Sequence, residues 1–143
     1  MACGNTFGAT ALSSYGGFWI AYALLLLPQS HSLPAPAGKM ITDAEMGKVY
    51  TATAEANVLG FFLTGWFIFT FLLLLCTLRS TVMFFSLFFT LDLAFLFLAC
   101  ENYAKSMGKT NAADGLRTAG GVFGILAAFL AWYMALVGIQ DSR

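Results

Sequence analysis

Between Glu55 and Arg79 the chain carries no charged residue, and Val58 to Leu78 is almost wholly apolar. About 20 such residues, rising ~1.5 Å each as a helix, cross a hydrocarbon core of ~30 Å. Two more runs of this kind follow. Thr81 to Cys100 is interrupted only by Asp92, and Leu116 to Ile139 carries only Arg117 at its edge. An earlier run, Phe7 to Pro28, is apolar but speckled with Thr6, Thr10, Ser13, Ser14 and Tyr15 around its first half. The pattern predicts an all-α integral membrane protein, a single transmembrane domain with spans at about 7–28, 58–78, 81–100 and 116–139.

Composition points the same way. Hydrophobic residues make up 59% and charged residues 10%, where a soluble domain needs roughly a quarter charged to keep its surface wet. Most of this surface is expected to face lipid. A net charge of zero argues against nucleic acid as a partner, which needs a basic patch. Cys3, Cys76 and Cys100 form no paired spacing and His31 is the single histidine. No metal site, disulfide framework or cofactor motif is expected. No nucleophile–base pair or phosphate loop is present either, so the chain does not read as an enzyme.

The first run is not a typical signal peptide, since no Lys or Arg precedes Lys39, whereas a signal peptide carries a positive n-region. Residues 29–57 form a connecting segment. SLPAPAG reads as extended loop, and TDAEMGKVYTATAEA as a short helix capped by Thr42 with Glu45 in a capping box. That helix is expected to lie on the membrane surface or to lead into the next span. Arg79 and Ser80 make a short turn, so the second and third spans must be antiparallel neighbours. Residues 101–117 read as a polar loop. The two long loops hold five of the seven basic residues, which places them in the cytoplasm on charge bias alone.

Within the spans, polar and small residues are the informative ones. Gly120, Gly124, Ala127, Ala128, Ala131 and Ala135 follow spacings of three and four, a stripe that lets helices approach closely in lipid. Thr6, Thr10 and Ser13 share one helical face, with Ser14 and Tyr15 beside it. Ser86 and Thr90 pair in the third span, and Thr64 and Thr70 interrupt the second. Such hydroxyls either line a path for a small polar solute or bond neighbouring helices. Asp92 is the costliest residue: an ionised carboxylate at mid-membrane costs ~2.5–3.5 kcal/mol even on insertion scales. It reads as a proton relay or as a structural hydrogen-bonding group. It stands about 200° around the helix from Thr90, off the Ser86–Thr90 face. Trp66, Trp132 and Tyr133 read as packing or interfacial anchors.

GNTFGATALSSYGGFW, Gly4 to Trp19, resembles the signature of the third helix of the acetate uptake transporter family, also called the succinate–acetate permease family. That family includes fungal ammonia/acetate exporters. GWFIFTFLLLLCTLRS (Gly65–Ser80), FFTLDLAFLFLA (Phe88–Ala99) and AGGVFGILAAFLAWYMALVG (Ala119–Gly138) are similar to its fourth, fifth and sixth helices.

The resemblance implies a six-helix protomer passing acetate and similar monocarboxylates, with proton coupling, in a homohexamer of the plasma membrane. It implies that Tyr15 and Leu91 belong to an aromatic–aliphatic constriction, and the hydroxyl faces read from spacing put Thr10, Ser13 and Thr90 along the pathway. It also places both termini in the cytoplasm, against the charge bias. The constriction's third member is a phenylalanine on the family's first helix. On this resemblance the chain starts just ahead of the third helix, and the expectation is an N-terminally truncated relative. The alternatives are ammonium or ammonia export, and a membrane scaffold subunit that packs through its glycine and alanine stripes.

Overall fold

The computed structural model describes residues 6–26 and 44–141. Every described element is helical: α1 Thr6–Leu25, α2 Ala44–Thr77, α3 Val82–Ser106 and α4 Thr110–Asp141. The chain divides into two compact units, residues 1–55 and 56–143. Among the described residues three stretches are long and apolar enough to cross a membrane, Thr53–Thr77, Val82–Ser106 and Thr110–Gln140. The helix α1 is not among them. It has the length of a span, but Thr6, Thr10, Ser13, Ser14 and three glycines dilute its apolar side chains.

The expected proline loop and the Thr42 cap fall outside the described residues. The helix expected after them is the opening of α2, which runs from Ala44 to Thr77 without a break. No proline interrupts it, and alanines and other helix formers carry the polar opening into the apolar run. At its far end Ser80 N donates to Thr77 O (2.8 Å). Thr81 then caps α3, its side chain accepting from Phe84 N at 3.3 Å.

Residues 101–117 depart from the reading as a polar loop. The helix α3 continues to Ser106, α4 already begins at Thr110, and Met107–Lys109 alone connect them. Glu101 and Lys105 form an ion pair one turn apart, so polar residues that look like loop sit comfortably on a helix. The stop is a Schellman motif: Gly108 N donates to Lys105 O (3.0 Å) and Lys109 N to Ala104 O (2.9 Å). Gly108 adopts φ 72°, a left-handed conformation that glycine takes without a Cβ clash.

In the second unit α3 and α4 pack along each other. Gly120 sits so near Leu98 that a Cβ there would lie 2.9 Å from Leu98 Cγ and Cδ2. Beside this contact Phe97 and Phe123 stack with centroids 5.5 Å apart. Ala113, Gly120 and Ala127 are the buried residues of α4, a seam of small side chains spaced in sevens. On α2, Ala56, Leu63, Thr70, Leu74 and Thr77 are buried along one side, and Tyr103 of α3 reaches this helix near Gly60. Most remaining large apolar side chains point outward, among them Phe61, Ile125, Phe129, Trp132 and Leu136, as lipid-facing helices require. In the first unit, α1 buries Ala11 and Phe18, and Phe18 stacks on Tyr22 with centroids 5.5 Å apart.

Candidate transport site

The hydroxyls picked out as pathway residues are mostly occupied by their own helices. Thr10 Oγ1 donates to Thr6 O (2.9 Å) and Ser13 Oγ to Ala9 O (2.7 Å). On α3, Ser86 Oγ donates to Val82 O (2.8 Å) and Thr90 Oγ1 to Ser86 O (2.9 Å). Each hydroxyl thereby satisfies its proton locally and keeps only lone pairs to offer. A face built this way accepts hydrogen bonds. It suits a solute that brings its own proton better than one that arrives as a bare anion.

Thr10 and Ser13 are exposed on α1, while Tyr15, Thr90 and Leu91 are half-buried. Tyr15 belongs to the first unit and Leu91 to the second. Of the packing residues, Gly120 meets Leu98. A Cβ on Gly124 would meet nothing within 4 Å, and Ala128 is exposed.

Asp92 is 6% exposed, and its Oδ1 has no hydrogen-bond partner among the described residues. Phe97 and Leu98, which meet α4, lie about 140° and 240° around α3 from Asp92. Tyr103, eleven residues on, lies within about 20° of it. Asp92 thus shares the α3 stripe whose Tyr103 reaches α2, and it stands away from the face that meets α4.

Sequence reasoning missed that Tyr103 contact. Tyr103 OH and Thr64 Oγ1 lie 3.0 Å apart, and either can donate. Thr64 Oγ1 is also 2.8 Å from Gly60 O. A Cβ on Gly60 would come within 2.8 Å of Tyr103 Cε1, so the glycine is what admits the ring. Tyr103 fell in the stretch read as loop, and only the i,i+4 spacing of Glu101 and Lys105 hinted that the helix continued. Also unforeseen were the buried Glu101 and Asn102, the latter donating through Nδ2 to Leu98 O at 2.8 Å.

The model of the GPR1/FUN34/yaaH family matches residues 1–143. The chain belongs to this family. Acetate permease A of Emericella nidulans is 52% identical over 143 residues, which cover 99% of this chain and 45% of that protein. Ammonia transport outward protein 2 of Saccharomyces cerevisiae is 42% identical over 100% of this chain and 44% of its own length. The succinate-acetate/proton symporter SatP of Escherichia coli is 31% identical over 98% of this chain and 62% of its own. The chain therefore spans less than half the length of the first two relatives. No solved structure matches it. The likeness expected from Gly4–Trp19 is thus a family membership, and these three relatives, two fungal and one bacterial, are named for transport.

Proposed function

We propose that the chain takes part in moving acetate and related small monocarboxylates across the plasma membrane, together with protons. The observation that carries this is the 52% identity to an acetate permease over essentially the whole chain. The proton enters through the bacterial relative, named as a succinate-acetate/proton symporter. Three helices fit to cross a membrane support the reading. In it, α1 is a fourth span, the four helices correspond to helices three to six of a six-helix protomer, and the protomers assemble as a homohexamer with cytoplasmic termini.

In this reading Tyr15 of the first unit and Leu91 of the second are each constriction residues, as the family resemblance implies, and the accepting hydroxyls of Thr10, Ser13 and Thr90 belong to the pathway. A gate of phenol and aliphatic carbon disfavours an uncompensated carboxylate, which would lose its hydration there without replacement, so acetate passes together with a proton. The test is uptake of labelled acetate by cells lacking their own carriers. The chain is expressed as it stands, and also joined to the N-terminal portion of the Emericella nidulans relative. Absence of uptake in the joined protein would sink the assignment. A second reading, export of ammonium or ammonia, is favoured by relatives named for outward ammonia transport. Flux of methylammonium in place of acetate identifies it.

A further inference from the structure

Asp92 is the one charged residue between Arg79 and Glu101. It is buried, and its Oδ1 meets no hydrogen-bond partner among the described residues. Buried polar atoms in proteins are nearly always satisfied, and an exception asks for an explanation. In a membrane-spanning helix the requirement is stricter, because lipid offers nothing in return. A carboxylate kept only to tie helices together would be aimed at a donor.

Among the described residues of the second unit, no charged group stands beside it. On α2 between Ala56 and Thr77 the only titratable side chain is Cys76, which is exposed. On α4 between Thr118 and Gln140 it is Tyr133, also exposed. On α3 itself Cys100, Glu101, Tyr103 and Lys105 all lie at least eight residues further on, or ~12 Å along the axis. Glu101 and Lys105 are already paired with each other. At the other end Arg79 stands in the exposed α2–α3 turn, thirteen residues before Asp92. Counting back eleven residues from Tyr103, and forward eleven from its contacts Gly60 and Thr64, puts Asp92 roughly level with residues 71–75 of α2, which are phenylalanine and leucine. Thr77 is buried and gives its proton to Leu74 O at 2.7 Å. In this seam the Thr77 hydroxyl has only oxygen lone pairs left to offer, which can receive a proton donor and repel a carboxylate.

From this geometry we infer that Asp92 is the residue that takes up and releases the coupled proton, an inference that rests on the acetate reading. Its carboxylate receives a proton from a hydronium ion on one side, leaving water and a neutral carboxylic acid that the seam can hold. Release to water on the other side regenerates the carboxylate and a hydronium ion. One proton moving with each acetate anion makes the step electroneutral. Asp92 follows Leu91 directly, so a change at the proton site is transmitted through a single peptide unit to the proposed gate.

Two measurements on the reconstituted chain test this, using the unsubstituted protein, Asp92→Asn and Asp92→Glu. The first compares acetate accumulation driven by a pH gradient with acetate counterflow at equal pH. Asp92→Asn should lose gradient-driven accumulation at least tenfold while counterflow falls less than threefold, and Asp92→Glu should recover most of the accumulation. Gradient-driven accumulation by Asp92→Asn at the unsubstituted rate overturns the proposal. The second is labelling by dicyclohexylcarbodiimide, which adds to protonated carboxyls in apolar surroundings, followed by mass spectrometry of the α3 peptide. Label on Asp92 that declines as pH rises supports the assignment, and its absence at every pH overturns it. No counterflow by the unsubstituted chain would count against the acetate reading, and the labelling would then decide Asp92 by itself.

Discussion

Leu98 closes over Gly120 so tightly that a single added methyl would stand 2.9 Å from its Cγ and Cδ2 and 3.4 Å from its backbone nitrogen. Four residues along α4, Gly124 has open space where its Cβ would be. Two glycines with one sequence signature thus have opposite tolerance. Gly120→Val should destabilise the protein by about 1–3 kcal/mol, as overpacking does, while Gly124→Ala should be neutral or slightly stabilising. Thermal unfolding in detergent, followed by tryptophan fluorescence, separates them. Equal losses for both would contradict the packing.

Tyr103 and Thr64 supply the second comparison. Tyr103→Phe removes the hydroxyl but keeps the ring and its edge-on contact with Phe61, whose centroid is 6.0 Å away. The expected loss is about 0.6–1.7 kcal/mol, the range for hydrogen bonds between membrane helices. Gly60→Ala should cost more, because it pushes the ring itself out of place. A double-mutant cycle of Tyr103→Phe with Thr64→Val should return a coupling energy close to the single loss. Additive effects would show that the 3.0 Å approach contributes nothing.

The pair of Glu101 and Lys105 is lopsided, its side chains 6% and 44% exposed. Removing the lysine strands a buried carboxylate, whereas neutralising both removes the problem. Lys105→Met is therefore expected to cost about 1–2 kcal/mol, less than a fully buried pair would, because Lys105 reaches solvent. The double variant Glu101→Gln/Lys105→Met should be more stable than Lys105→Met alone. Denaturation midpoints of the two variants decide the order.

At the proposed constriction, Leu91→Arg should abolish acetate uptake, and Tyr15→Ala should change its rate by at least tenfold. Tyr15→Phe, which keeps the ring, should stay within about threefold. Each figure assumes a barrier set by side-chain bulk and polarity, where 1.4 kcal/mol is a factor of ten. Rates of labelled uptake in the joined protein provide the check. If Leu91→Arg transports at the unsubstituted rate, Leu91 does not stand in the path.

The long apolar helices were legible because mean hydropathy depends only on composition within a window, and lipid imposes that composition on any spanning segment. Where α3 ends was not. Glu101, Asn102 and Lys105 carry the polarity of a loop, yet a helix accommodates them through an i,i+4 ion pair and a side-chain bond to the carbonyl of Leu98. Asp92 could be recognised as costly from its position alone. That its Oδ1 goes unmatched, and that it shares a stripe with Tyr103, depends on which face of α3 meets which neighbour. The Thr64–Tyr103 contact joins residues 39 positions apart, and no local pattern encodes such a distance. The hydroxyls were legible in part. Spacing puts Thr10 and Ser13 on one face, but it does not tell that each proton goes to a carbonyl of its own helix.

Ala113, Gly120 and Ala127, buried along α4 at intervals of seven, have a geometric consequence. Seven residues fall ~20° short of two full helical turns, so a strip that repeats in sevens drifts around its helix. To stay on α3, α4 must wrap it with a left-handed sense, whereas glycines four apart, such as Gly120 and Gly124, are the pattern of right-handed crossings. One residue inserted between Gly120 and Ala127 would swing everything beyond it by ~100°. The exposed rings of Tyr133 and Phe129 would then exchange lipid for the neighbouring helix. The handedness of this hairpin is written in its smallest side chains.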